Sequence, residues 1–333
     1  MAKKILVTGS EGFIGSHLLE NLIKKNYSVK AFVQYNSNNS SGWLEYIDKK
    51  ILNELEIIYG DIRDYESIYS AINNCNKVIH LAALISVPYS YISPRSFYET
   101  NVLGTLNVIS AALKQKVLNI INTSSSEVYG SAQYVPIDEK HPLVGQSPYA
   151  ASKISAEGVG ISFFRSFDAP VTTLRPFNTF GPRQSAKAII PSIIIQSLKN
   201  KNTINLGNLN AKRDFNFVED ISNAFICALE SQKAVGEIFN IGTGYDLSIK
   251  EVLKLVFQIL NIEKNLNIDL SRLRPKKSEV NVLNASNKKA KKILKWKPKY
   301  QGSIGFKKAM IKTLDWYKIE DNLKLFKENI YNV

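Results

Sequence analysis

Cysteine is almost missing from this chain. Cys75 and Cys227 are the only two, and that pair builds neither a zinc site nor a disulfide framework. Both are expected to sit as small buried apolar residues, and no metal is expected. Long apolar runs are missing as well. No stretch approaches the roughly 18–20 residues of a membrane span. The opening segment MAKKILVTGSEGF has only the short apolar run 5–7 before a Gly-rich turn. A secretory h-region needs roughly 7–15 apolar residues. A cytoplasmic protein with no membrane partner is therefore expected. Internal repeats and low-complexity linkers are absent too; the polar stretch YNSNNSSG (35–42) reads as a surface loop.

Acidic residues are outnumbered, 29 against 43 Lys and Arg, for a formal charge of +14. Much of the excess sits late, in RLRPKKSEV (272–280) and NKKAKKILKWKPKY (287–300). Those lysines are not interleaved with stacking aromatics, so they fit solvated faces better than a nucleic-acid site. A polyanionic small substrate would suit a basic cleft.

What is present is a regular alternation. Segments 3–8, 28–34, 55–61, 77–83 and 117–125 are β-rich, and 14–25, 64–74 and 101–114 carry apolar residues at helical spacing. Near-continuous apolar strands alternating with helices indicate a parallel sheet covered on both faces. Segments 169–176 and 237–242 extend it to about seven strands. The expected fold is α/β, a doubly wound, Rossmann-like parallel sheet with a smaller C-terminal substrate lobe. The pattern assigns 1–175 and 213–240 to the dinucleotide domain, and 176–212 and 241–333 to the second lobe.

VTGSEGFIGSHL sets Gly9, Gly12 and Gly15 between the first strand and the first helix. Glycines there let the backbone approach a pyrophosphate, whose charge meets the N–H groups of the helix start. An NAD site usually has an acid at the end of the second strand, but AFVQYNS offers Val33, Gln34 and Tyr35. No arginine replaces that acid, so NAD and NADP both stay open, with NAD preferred. Downstream, INTSSSEVYG (121–130) ends a strand in hydroxyls and a carboxylate, and SPYAASK puts Tyr149 and Lys153 on one helix face. A lysine ammonium there is expected to lower the phenol's pKa toward working pH.

The GxxGxxG spacing resembles the short-chain dehydrogenase/reductase superfamily. That resemblance assigns Gly9, Gly12, Phe13, Ile14 and Gly15 to the cofactor loop, and Asp61 and Ile62 of GDIRD to the adenine. It also assigns Leu81, Ala82 and Ala83 of HLAA to the cofactor wall, leaving His80 as a packed residue. Ser125, Tyr149 and Lys153 then form the set that takes a hydroxyl proton, with Tyr149 and Lys153 also touching cofactor. NVLGTLNV, RPFNTFGPR, RDFNFVEDI, NIGTG and RLRPKKSEV follow in the order seen in extended members acting on nucleotide sugars, the NAD-dependent epimerase/dehydratase family. Asn178, Arg213 and Arg274 are thereby expected on the substrate diphosphate, Ser125 on the sugar, and a homodimer through helices 101–114 and 149–167. Leu106, Val108, Phe163 and Phe164 are the apolar residues expected to serve that interface.

Within the family the strand end discriminates. Ser125-Ser126-Glu127 stands where dehydratases usually read Thr-Asp-Glu, and a pure 4-epimerase needs no carboxylate there. Decarboxylases share the Ser-Glu pair, but their tyrosine motif resembles Tyr-Asp-Glu-Gly-Lys rather than YAASK. The chain as a whole is most similar to the nucleotide-activated N-acetylglucosamine 4,6-dehydratases of the legionaminic-acid pathway. This resemblance implies a hydro-lyase in which Glu127 is the general base and Ser126 holds a water at most. A 4-epimerase is the alternative, then a decarboxylase.

Overall fold

The computed structural model describes residues 4–199 and 202–326. Its main sheet has seven strands: β1 (Lys4–Thr8), β2 (Ser28–Gln34), β3 (Leu55–Gly60), β4 (Lys77–His80), β5 (Asn119–Thr123), β6 (Val171–Pro176) and β11 (Ile238–Ile241). Their order is β11-β6-β5-β4-β1-β2-β3, and every neighbouring pair is parallel. Apart from the edge strand β3, the strands are largely buried, which is why they read as nearly unbroken apolar runs. One face carries the Phe13–Lys24 and Val218–Glu230 helices, with Leu18, Leu22, Phe225 and Leu229 fully buried. The other face carries Tyr65–Ile72, Gly104–Lys114 and Pro148–Phe167.

The second lobe is built from short strands and, among the described residues, three long helices and a short one, Glu320–Lys324. β7 (Thr179–Phe180) pairs with β10 (Asn216–Phe217), and β8 (Thr203–Leu206) with β13 (Asn265–Ile268). β9 (Lys212–Asp214) lies between β12 (Asp246–Ser248) and β14 (Val282–Leu283). The Ile189–Leu198, Ile249–Leu260 and Gly302–Lys318 helices close a separate apolar core around Ile193, Val252 and Leu314. A reciprocal Ser248–Glu251 capping box fixes the start of the middle one.

Two expectations are corrected by the packing. Residues 290–296 read as part of the second lobe, yet Ala290, Leu294 and Trp296 join the core on the helix face of the main sheet. The Trp296 indole N–H donates to the Asp220 carbonyl at 3.0 Å, which ties this return segment to the Val218–Glu230 helix. Val108, expected at an interface, is fully buried against the sheet. The helix around it begins before 101, since Pro94–Phe97 runs through a wider π-helical stretch, Tyr98–Leu103, into Gly104–Lys114. Leu106, Phe163 and Phe164 are half-buried, and Leu103 and Phe167 on the same two helical segments are exposed.

Candidate active site

The strand order reverses between β1 and β4, so their carboxyl ends open a crevice. Gly9 follows β1 there with φ +68°, and a Cβ on it would meet the Ala82 nitrogen at 2.7 Å. Gly15 would press a Cβ into the backbone of Gly9 and Ser10. These two glycines are therefore demanded by the turn itself. Gly12 is different: its Cβ would meet only the Gly9 carbonyl, at 3.2 Å. Gly12 caps the Phe13–Lys24 helix without a side-chain bond, so the first-turn N–H groups open toward the crevice. A small, uncapped helix start of this kind fits a pyrophosphate.

The crevice widens into a cleft of about 1290 Å³ shared with the second lobe. All the residues expected to bind cofactor line it, from Gly9, Gly12, Phe13, Ile14 and Gly15 through Asp61 and Ile62 to Leu81, Ala82 and Ala83. Ser125, Ser126, Glu127, Tyr149, Lys153, Asn178, Arg213 and Arg274 line it as well. His80 lies behind the wall, bonded to Thr8 Oγ1 at 2.8 Å and Thr105 Oγ1 at 3.1 Å. Burial pushes its imidazole down to about 3, which fits a packed neutral ring.

Ser147 and Pro148 set the start of the helix that carries the tyrosine. The Ser147 hydroxyl accepts the Ala150 N–H at 3.1 Å, and Pro148 occupies the first turn. Tyr149 and Lys153 then lie one turn apart, both buried. Ser125 caps the short turn after β5, accepting the Glu127 N–H at 3.2 Å, and its hydroxyl lies beside Tyr149 in the cleft. The expected depression of the phenol is not found. Burial pushes Tyr149 up to about 12; the neighbouring Ser125 hydroxyl opposes this and the Glu127 charge adds to it. Lys153 is itself pushed down to about 8 by burial, against the pull of Glu157. In this structure the ammonium does not bring the phenol toward working pH.

Glu127 sits at the centre of the charges. Arg274 donates to both of its oxygens, Nη1 at 3.0 Å and Nη2 at 3.3 Å. Burial raises the Glu127 carboxyl, but the Arg274 and Arg213 guanidiniums outweigh it and hold the group below the usual range. Arg274 was expected on a phosphate; here it is the partner of the candidate base. Arg213 is buried on β9, donating to the Lys212 carbonyl at 3.0 Å, with Glu279 at 3.9 Å. Asn178 Oδ1 and Ser124 Oγ are buried without a hydrogen-bond partner among the described residues.

Sequence reasoning missed Glu11. Its Oε1 accepts the Gln34 N–H at 3.0 Å, and its Oε2 is buried with no partner among the described residues. The signal was an acid between the first two glycines combined with the missing acid at position 34. The Glu279 contact was missed too, because its arginine lies far away in sequence.

A parallel sheet whose reversal point floors a cleft, faced by a Ser–Tyr–Lys group, defines the short-chain dehydrogenase class. Comparison with known proteins narrows this. A family model described as GDP-mannose 4,6 dehydratase matches residues 6–309. The chain belongs to the NAD-dependent epimerase/dehydratase family of extended short-chain dehydrogenases. It is 34% identical over 320 residues to a putative UDP-glucose 4-epimerase of Methanocaldococcus jannaschii, covering 94% of this chain and 98% of that one. Human dTDP-D-glucose 4,6-dehydratase is 31% identical over 328 residues, covering 95% and 90%. The structure of dTDP-glucose 4,6-dehydratase from Bacillus anthracis in complex with NAD superposes with TM-score 0.84 at 27% identity, covering 98% and 100%. Among the described residues no helix is long and apolar enough to cross a membrane, and no cluster of candidate metal ligands occurs.

Proposed function

We propose that this chain is a cytoplasmic 4,6-dehydratase for a nucleotide-activated hexose, an N-acetylglucosamine derivative, yielding the 4-keto-6-deoxy sugar. The observation that carries the reading is Glu127, a carboxylate lining the cleft beside the Ser125–Tyr149 pair. Epimerisation at C4 gives that carboxylate nothing to do, whereas elimination across C5 and C6 needs a base at C5. NAD, when bound along the glycine turn, supplies the acceptor and donor of hydride. Ser125 holds the C4 oxygen, and Tyr149 accepts the C4 hydroxyl proton, for which its phenol must first be deprotonated against the burial that raises it. Lys153 supports that phenolate. Glu127 takes the C5 proton, and the C6 hydroxyl leaves as water with a proton from Glu127 or a water held by Ser126. The product would be completed by the C4-derived hydride at C6 and a solvent proton at C5. Asn178 and Arg213 face the diphosphate, for which a guanidinium fork is suited, while Arg274 holds Glu127.

The test is mass spectrometry of products from a panel of UDP-, GDP- and dTDP-sugars. A product lighter by one water supports the reading, and a product isomeric with its substrate overturns it. The archaeal relative's name makes 4-epimerase the second reading. Loss of carbon dioxide from a uronic acid substrate would mark a decarboxylase.

A further inference from the structure

The end of β2 lacks the acid that usually meets an adenosine ribose, since Gln34 stands there. A carboxylate reaches the same place from elsewhere. Glu11 projects from the glycine turn, and its Oε1 accepts the N–H of Gln34 at 3.0 Å. Its backbone is fastened on the other side, where the Trp43 N–H donates to the Glu11 carbonyl at 3.0 Å. Gly42 has φ +57°, and a Cβ on it would meet the Glu11 carbonyl oxygen at 2.9 Å and the Glu11 Cβ at 3.0 Å. The loop after β2 thus closes over Glu11 and leaves its side chain little freedom.

Its other oxygen, Oε2, is buried with no hydrogen-bond partner among the described residues, although Glu11, Gln34, Ser40 and Gly42 all line the cleft. A buried carboxylate oxygen without a donor is costly, so the site is completed by a ligand that brings one. Burial also raises the Glu11 carboxyl, which a donated hydrogen bond would reverse. Arg63, the cation on this side of the cleft, is held in a fork by Asp61, with Nε at 3.0 Å and Nη2 at 2.6 Å. It is not set to neutralise a second phosphate.

We propose that Glu11 is the specificity-determining residue for the dinucleotide. Its carboxylate accepts the adenosine ribose hydroxyls of NAD and repels the 2′-phosphate of NADP, taking the role of the acid missing from the end of β2. This rests on the reading that the cleft holds a nicotinamide dinucleotide.

Titration calorimetry of the dinucleotide-stripped full chain with NAD and with NADP tests both. The wild-type protein should bind NAD more tightly than NADP by about 10-fold or more, the scale of a hydrogen bond to a charged group. Glu11→Gln keeps an oxygen for the Gln34 N–H but removes the charge, so it should narrow that ratio by about 10-fold. Its thermal midpoint without dinucleotide should stay at or above the wild-type value. A wild-type protein that binds NADP as well as NAD overturns the assignment, whatever the variant does. So does a folded Glu11→Gln variant with the wild-type ratio. A wild-type protein that binds neither dinucleotide overturns the cofactor reading itself, a result distinct from the other two.

Discussion

Glu127 is at once the proposed base at C5 and the partner of Arg274. Its two roles predict different measurements. Glu127→Gln keeps the shape and loses the base, so product formation should fall about 10²–10⁴-fold. Wild-type turnover in deuterated water should place deuterium at C5 of the product. Near-normal turnover by the variant, or a product without that deuterium, would sink the role. The pairing predicts a pH effect. Because the folded protein holds Glu127 below the usual carboxylate range, the pair's contribution to stability is present above the ordinary value and lost as pH falls through the lowered one. Arg274→Gln removes the largest opposing charge and leaves burial less opposed. The acid limb of kcat/KM, which reports the free enzyme's base, should then move to higher pH. An acid limb that stays in place would separate Glu127 from catalysis. The position of Glu127 was legible from the sequence, but its partner was not. Arg274 stands 147 residues away, and only the folding of the second lobe against the strand end brings the two together. Glu11 was hidden for a related reason, since its meaning depends on which backbone N–H it reaches.

At the scale of elements, all seven strands of the main sheet were legible, because six are largely buried apolar runs and the edge strand β3 still carries Leu55, Ile57 and Ile58. The two- and three-residue strands β7, β9, β10, β12 and β14 were not, since pairs so short leave no period to read. The fastening of the Pro148–Phe167 helix to β6 was also invisible. Glu157 on that helix accepts from Arg175 of β6 at 2.8 Å and 2.5 Å, both side chains almost wholly buried. Arg175 donates onward to the Tyr129 hydroxyl at 2.7 Å, which donates to Asn240 Oδ1 at 2.6 Å. One polar chain therefore links the helix bearing Tyr149, the strand end bearing the serines, and β11. Glu157→Ala would strand the buried guanidinium and should cost about 3–5 kcal/mol, read as a large drop in thermal midpoint. Replacing both partners, as Glu157→Leu with Arg175→Met, should recover most of that loss. A double variant no better than the single one would show that the network's geometry, not the uncompensated charge, carries the cost.

At the scale of the whole molecule, the proposed homodimer must use surface that the fold leaves outside. With Val108 committed to the core, Leu103 and Phe167 are the large apolar side chains left exposed beside the two helices, at 50% and 58%. Solution scattering at micromolar concentration should give twice the chain mass of 37.4 kDa. Leu103→Asp should shift the protein toward the monomer, and a wild-type monomer would end the proposal.

The path of the chain between its two cores has a consequence for recombination. After β6 the chain enters the second lobe, returns with the Val218–Glu230 helix and β11, leaves again, and comes back once more to bury Trp296 beneath the sheet. No single splice point separates the second lobe from the main sheet and its helices. A chimera that borrows specificity from a relative by one crossover in the last third would inherit one core with part of the other. A working exchange would need several junctions placed together, near 176, 217, 241, 289 and 297. New substrate preferences on this scaffold are therefore reached more readily by point changes along the cleft than by swapping a module.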